Sequence, residues 1–484
     1  MSTQLSKKYG LFTAICTVVG TVIGSGVFFK AEKILQETKG NLPVGILAWI
    51  IGGLIMVVCA YAFSLLATKH EKVSGIVDYA EAMVGKKYAY FMGWFLALFY
   101  YPTLTSVLAW VSSRYLCVLL GWDITGPQCM TIAGVLLIAV FAMNAFAPRI
   151  AGKFQVSATI IKLIPLLLMA VIGTIKGLSN GLLIENFNYV AADSVSSTSS
   201  GLFTAIVATA FAYEGWICAT AINAELRDAK KNLPKALVIG TLIIVAVYIV
   251  YYIGFAGGIP TAELLELGAL GKAEEGAKIA FSTVFSSFAG TFLFVFVVIS
   301  CLGTLNGLTL GCSRAIYSIS SRNMGPKPEI FKQVDSSTGM PVNSAFFGLV
   351  ISAFWLLYFY GAVITTIPQD TIPSHASWFG MFSFDSSELP IITTYAMYIP
   401  IFIAMFIKGK NYGAVKGRIA SALAIIGSIF MVIAAIYSHG IDPYMKGQAA
   451  DKPYFSFPVL FYLIVYAAIM IAGVFFMKSK KAKK

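Results

Sequence analysis

The chain has 484 residues, 58% hydrophobic and only 12% charged, with a mean hydropathy of +0.81. A soluble domain carries about 25% charged residues, so this composition excludes an ordinary soluble globular protein and indicates an integral membrane protein. The net charge of +13 does not mark a nucleic-acid-binding surface: about 25 of the 35 Lys and Arg residues fall in alternate connections between apolar runs, the pattern of charge that sets membrane topology.

Apolar runs long enough to cross about 30 Å of hydrocarbon as helices lie near 10–37, 43–67, 88–120, 128–147, 154–176, 200–223, 236–258, 279–311, 344–366, 389–407, 419–437 and 456–477. The expectation is an all-α integral membrane protein with twelve transmembrane helices and short loops, one transmembrane domain over 1–484. The basic connections (Lys7 and Lys8, Lys69 to Lys87, Arg149 and Lys153, Arg227 to Lys235, Arg314 to Lys332, Lys408 to Arg418, Lys478 to Lys484) place both termini in the cytoplasm of a cell-membrane protein.

The first run follows Lys7 and Lys8 as the h-region of a secretory signal would. It is too long for that, and it carries Gly20, Gly24 and Gly26 in place of a cleavage site, so it is read as a span. Gly24-Ser25-Gly26 interrupts it. The sixth run is interrupted by Phe211-Ala212-Tyr213-Glu214-Gly215-Trp216, about 190 residues later. Unwound backbone is tolerated at membrane depth only where protein buries it or a wet cavity receives it. Two breaks at corresponding places in two halves therefore predict a midplane binding site. Spans one to five and six to ten each begin with a break, and five crossings is an odd number. The halves, about 10–178 and 200–408, are thus expected to form an inverted repeat, with additional helices at about 417–477.

At the first break, Gly24 and Gly26 free the backbone to leave helical geometry, and the amides of the new half-helix can bind a carboxylate; Ser25 adds a hydroxyl. The carbonyls around Phe211 and Ala212 close the first half of the sixth helix and can accept from an α-ammonium, aided by the helix dipole. Together they suit an α-amino acid. The competing reading makes Gly20 and Gly24 a packing face of an unbroken helix.

Two ionisable residues stand deep in spans, where they are costly and normally face a cavity or partner. Glu214 has three readings: pairing with a cationic substrate side chain, carrying a proton, or bonding to backbone donors of the broken helix. Lys162, within Ile160-Ile161-Lys162-Leu163-Ile164, either reaches an acceptor inside the bundle or extends to the interface beside Arg149 and Lys153. Tyr100, Tyr101, Trp216, Tyr395 and Tyr398 either line the cavity or, the favoured reading, pack or sit at the interface, and Pro102, Pro165 and Pro400 are read as kinks. The segment at about 367–388, with Pro368, Pro373 and His375, is read as an external loop or short re-entrant piece. His70, His375 and His439 stand in separate loops and no HExxH occurs, so neither an enzyme nor a metal site is expected. No cofactor is expected either. The seven cysteines show no metal spacing and no disulfide framework.

Several motifs in order carry a family resemblance. Thr21-Val22-Ile23-Gly24-Ser25-Gly26-Val27-Phe28 resembles the first-helix motif of the amino acid–polyamine–organocation superfamily. Phe211-Ala212-Tyr213 with Gly215-Trp216 resembles its L-type amino acid transporter branch. Gly75, Asp78-Tyr79 and Gly93-Trp94 resemble the start of the third helix; Glu225 with Asn232-Leu233-Pro234 the loop after the sixth; Gly303-Thr304-Leu305-Asn306-Gly307 with Ser313-Arg314 the eighth helix. The resemblance implies a LeuT-like 5+5 inverted repeat with discontinuous helices 1 and 6. It implies an amino acid transporter working by alternating access, substrate-binding positions at Val22, Gly24, Ser25, Gly26, Phe211, Ala212 and Glu214, and Phe211 as a gate. It gives Lys162 a coupling role, its ammonium standing where sodium sits in sodium-driven relatives, and hence sodium independence. It implies an exchanger, with an acidic residue at 214 associated with cationic amino acids; a proton-coupled symporter for neutral amino acids and a membrane amino acid sensor are the alternatives. Eukaryotic members of the branch pair with a glycoprotein through an external cysteine. Cys129 lacks that context beside Pro127-Gln128, so the expected partners are amino acid substrates and the lipid bilayer alone, with no nucleic acid and no glycoprotein subunit.

Overall fold

A computed structural model of the chain describes residues 10–69, 75–124, 126–189, 198–216, 226–270, 272–364, 382–449 and 458–477. Hydrocarbon offers backbone amides no partner, and a helix satisfies them within one segment. The described elements are accordingly helices. Ten of them are long and apolar enough to cross a membrane, and Leu11–Gly20 with Ser25–Glu37, bent by 47°, makes an eleventh if counted as one span.

The helices that build the bundle are α1 (Leu11–Val22), α2 (Ser25–Glu37), α3 (Leu42–Ala67), α4 (Lys86–Leu120), α5 (Pro127–Phe146), α6 (Pro148–Ser179), α7 (Thr198–Ala212), α8 (Ala229–Ala256), α9 (Ala273–Phe285), α10 (Ser287–Ser320), α11 (Val342–Ile364), α12 (Leu389–Ile407), α13 (Ala414–Ile436) and α14 (Pro458–Phe476). Of the expected span 200–223, the described part is α7 with a turn that ends at Trp216. His70, Cys218, Glu225, Pro368, Pro373, His375 and the basic residues at 7–8 and 478–484 lie outside the described residues.

Local sequence explains several boundaries. Asn41 caps α3, its side chain accepting from the Val44 amide at 3.2 Å with Pro43 in the first turn. Gly121, left-handed at φ 71°, ends α4. One boundary departs from expectation. The run 279–311 is not one helix: α9 and α10 meet at Ser286, whose φ of 80° breaks the axis, and α9 packs on α10. Neither Gly nor Pro marks the junction, so the apolar run read as continuous.

Helix α4 is the axis of the bundle. Its most apolar window is 83% buried, against 17% for α14, whose Leu460, Leu463, Ile464, Ile471 and Phe475 face outward to lipid. A π-turn at Leu96–Tyr100 interrupts α4 and another at Met169–Gly173 interrupts α6. Such an insertion rotates the residues that follow it out of the 3.6-residue register.

One end of the bundle gathers basic side chains. Arg322 bonds Asp78 at 2.6 Å, Lys408 donates to the Met83 carbonyl at 3.1 Å, and Lys69 lies over Tyr412. At the opposite end, Lys30 and Lys33 of α2 meet Glu388 at 2.6 and 2.7 Å, and Lys33 meets Asp385 at 3.0 Å. His439 was expected in a loop; it occupies a π-turn at Tyr437–Ile441 that extends α13, with Nε2 3.1 Å from Glu388.

Candidate functional site

The two breaks meet face to face. After α1, Ile23 and Gly24 are extended, and α2 restarts at Ser25. A Cβ on Gly26 would stand 2.8 Å from Ala212 Cα, so only glycine permits the two backbones to approach this closely. A Cβ on Gly24 would stand 2.6 Å from Thr304 Oγ1. In the second break, Glu214 N donates to Phe211 O at 3.3 Å and Gly215 takes φ 110°.

Side chains from other helices hold the freed backbone groups. The Lys162 ammonium donates to Gly20 O at 2.7 Å and is buried, so it reaches into the bundle and does not extend to the interface. The Ser25 amide donates to Thr304 Oγ1 at 3.1 Å. The Tyr248 hydroxyl lies 3.1 Å from both Val22 O and Ala212 O, one donor shared between the two broken helices. Tyr248 is itself fixed by stacking on Tyr213, whose hydroxyl donates to Trp49 O at 2.9 Å.

Between the breaks lies a cavity of about 130 Å³. Val22, Gly24, Gly26, Lys162, Phe211, Ala212 and Glu214 all line it. Ser25 is placed differently: it is buried outside that lining, and its Oγ has no hydrogen-bond partner among the described residues. Tyr101, Gln155, Thr304, Gly307 and Gly311 continue the wall toward the basic end. On the other side, Lys30 Nζ sits 5.0 Å from the centre of the Phe211 ring, joining that aromatic to the Lys30–Glu388 pair.

The cavity is electrically polarised. The N-terminus of α2 offers amides and positive potential, and the C-terminus of α7 offers carbonyls and negative potential. The Glu214 carboxylate accepts from Tyr100 Oη at 2.5 Å. This arrangement suits a small zwitterion, with Glu214 at its edge.

Sequence reasoning placed Tyr100 among packing residues because the π-turn that aims it at Glu214 leaves no trace in apolar periodicity. Tyr248 and Gln155 carried no motif, although a buried tyrosine hydroxyl in hydrocarbon needs an acceptor. Thr304 was visible only as part of a glycine-flanked stretch. Trp216, Tyr395 and Tyr398 do pack: Trp216 and Tyr398 form one aromatic cluster with Phe63, and Tyr395 stacks edgewise on Tyr398. Cys129 is buried on α5 with Sγ 3.1 Å from Ser113 Oγ. Among the described residues no three His, Cys, Asp or Glu side chains group as a metal site.

Comparison with known proteins agrees with this geometry. Residues 9–482 match the family model described as amino acid permease. The chain is 28% identical over 435 residues to the serine/threonine exchanger SteT of Bacillus subtilis (strain 168), covering 88% of this chain and 91% of that one. It is 24% identical to the b(0,+)-type amino acid transporter 1 of Mus musculus, covering 92% and 85%. It is 26% identical to the large neutral amino acids transporter small subunit 2 of Oryctolagus cuniculus, covering 71% and 63%.

Proposed function

The chain belongs to the amino acid permease family, and on that premise we propose that it is a sodium-independent L-amino acid exchanger of the cell membrane, working by alternating access. It is a multi-pass membrane transporter, not an enzyme. The observation that carries the proposal is the single cavity into which both breaks open, with Lys162 on the first and Glu214 beside the second. The substrate carboxylate sits at the α2 amides and its α-ammonium at the α7 carbonyls. A cationic side chain then meets Glu214. The Lys162 ammonium supplies to the first break the positive charge that a sodium ion would otherwise supply, which supports sodium independence.

The cavity walls reach from the breaks toward the basic end, while Phe211 and the Lys30–Glu388 pair cover the other side. With the basic end cytoplasmic, this conformer is closed to the outside. The halves 10–178 and 200–408, as an inverted repeat, supply the second conformer by exchanging the roles of the two ends. Exchange requires the loaded carrier to reorient faster than the empty one.

The test is uptake of labelled arginine, lysine, serine, alanine and leucine into liposomes holding the purified protein, empty or preloaded, without sodium. Arginine or lysine uptake that requires preloading supports a cationic-substrate exchanger. The second reading is a proton-coupled symporter for neutral amino acids, favoured by one observation: among the described residues Glu214 stands in no salt bridge, its side chain accepting from the neutral Tyr100 hydroxyl. Neutral uptake into empty liposomes driven by a proton gradient would establish it in place of the first.

A further inference from the structure

A second buried carboxylate lies on α2, away from the cavity. Glu32 is 1% exposed, and its nearest neighbours come from four helices. From α4, Tyr115 Oη is 3.4 Å from Glu32 Oε1, and the adjacent Arg114 donates to Glu274 Oε2 at 2.6 Å. From α9 come Glu274 itself, also buried, and the Ala277 amide; from α8 comes Tyr251, and from α10 Cys301. The lysines of α2 are engaged elsewhere, with Lys30 and Lys33 bonded to Glu388 at the other face. Among the described residues Glu32 Oε2 has no hydrogen-bond partner, and neither has the fully buried hydroxyl of Tyr251.

The charges in this pocket do not balance. Two carboxylates, Glu32 and Glu274, face one guanidinium, Arg114, and Arg114 gives its short bond to Glu274. An uncompensated carboxylate in the interior is far costlier than a neutral carboxylic acid. The unpartnered Oε2 is the atom that a proton would occupy. The contrast lies on the same helix: Lys30 and Lys33 face Asp385 and Glu388, a matched set.

We propose that Glu32 carries a proton, forming a proton-binding site that is loaded while α2 closes the outer side of the transporter. The site rests on the reading that α2 moves during transport. Outward movement of α2 draws Glu32 from Glu274 into water, where the proton leaves. Proton occupancy and closure of α2 are therefore linked, and each favours the other.

The proton can be read without transport. Infrared spectra of the purified protein at neutral pH should contain the carbonyl stretch of a protonated carboxylic acid that disappears in Glu32→Gln and also in Glu274→Gln, which frees Arg114 from its bond to Glu274 to pair with Glu32. In liposomes, wild-type exchange should vary with external pH by up to about tenfold per unit on its titrating limb. Glu32→Gln, a permanently neutral mimic, should retain exchange with a flat profile. A wild-type spectrum unchanged by both substitutions overturns the proposal, as does an unaltered pH profile in Glu32→Gln. If one variant fails to fold, the other still decides the infrared result. A protein that shows the band but transports no amino acid would overturn the function proposed above and leave the proton site standing; transport without the band would do the reverse.

Discussion

The two helix breaks solve one physical problem by different means. The first is built from glycines and held from outside, by Lys162, Thr304 and Tyr248, which arrive from α6, α10 and α8. The second keeps more of its bonding to itself, with Tyr213 N on Thr209 O and Glu214 N on Phe211 O, and it carries the ionisable side chain. A break held by its neighbours moves when those neighbours move. A break held by its own turn keeps its shape and offers a fixed chemical group. On this difference we propose that the first break responds to conformation and the second to substrate identity.

Substitutions separate these roles. The largest effect is expected from Gly26→Ala, whose Cβ would fall 2.8 Å from Ala212 Cα. Backbone must then shift, at about 3 kcal/mol, the upper part of the usual range for overpacking. Thermal unfolding in detergent should register the loss, and uptake should vanish. Lys162→Ala comes next. It removes a buried charge together with its bond to Gly20 O, so the desolvation relief offsets part of the lost bond and stability changes less than transport. Exchange should fall by tenfold or more for every substrate, because the first break loses its positive charge. Wild-type rates in this variant would show that the first break does not depend on α6.

Glu214→Gln should be selective. A glutamine Oε1 still accepts from Tyr100, so the fold survives. Arginine and lysine transport should drop at least tenfold while serine and alanine are spared, as competition assays would show. Equal loss for both classes would remove the distinction between the breaks. Tyr248→Phe takes away the donor shared by Val22 O and Ala212 O, a loss of about 1 kcal/mol for one hydrogen bond. Its signature is a lower melting temperature with substrate preference unchanged. Ser25→Ala should be the mildest, within about 0.5 kcal/mol of wild type and without a change in apparent substrate affinity, since Oγ lies outside the cavity lining and has no hydrogen-bond partner among the described residues. A large affinity loss there would bring the hydroxyl back as a substrate ligand.

Much of this was legible in the chain. Glycine at 24 and 26 and an acid at 214 are improbable in featureless spans, and each residue type states what it is for: release of backbone, or a charge that needs a cavity. Other contributions were illegible for identifiable reasons. The Ser286 junction lies in an unbroken apolar run, with no residue type to announce its positive φ. The π-turn before Tyr101 shifts register without changing composition. Glu32 stands in the charged stretch Lys30-Ala31-Glu32-Lys33, which carries no motif. In the structure those lysines turn to Glu388, and Glu32 is left with Glu274 on the opposite face.

The sequence by itself determined the solvent and the elements. Hydrocarbon forbids unpaired backbone, so apolar length dictates helices, and the glycines at 24 and 26 mark where one of them breaks. Only the tertiary structure decided which groups meet. Lys162 reaches Gly20 across 142 residues, Thr304 reaches Ser25 across 279, and Tyr248 joins Val22 to Ala212. Those pairings have no local signal, because a buried polar group requires some partner and the packing of whole helices selects which one it finds.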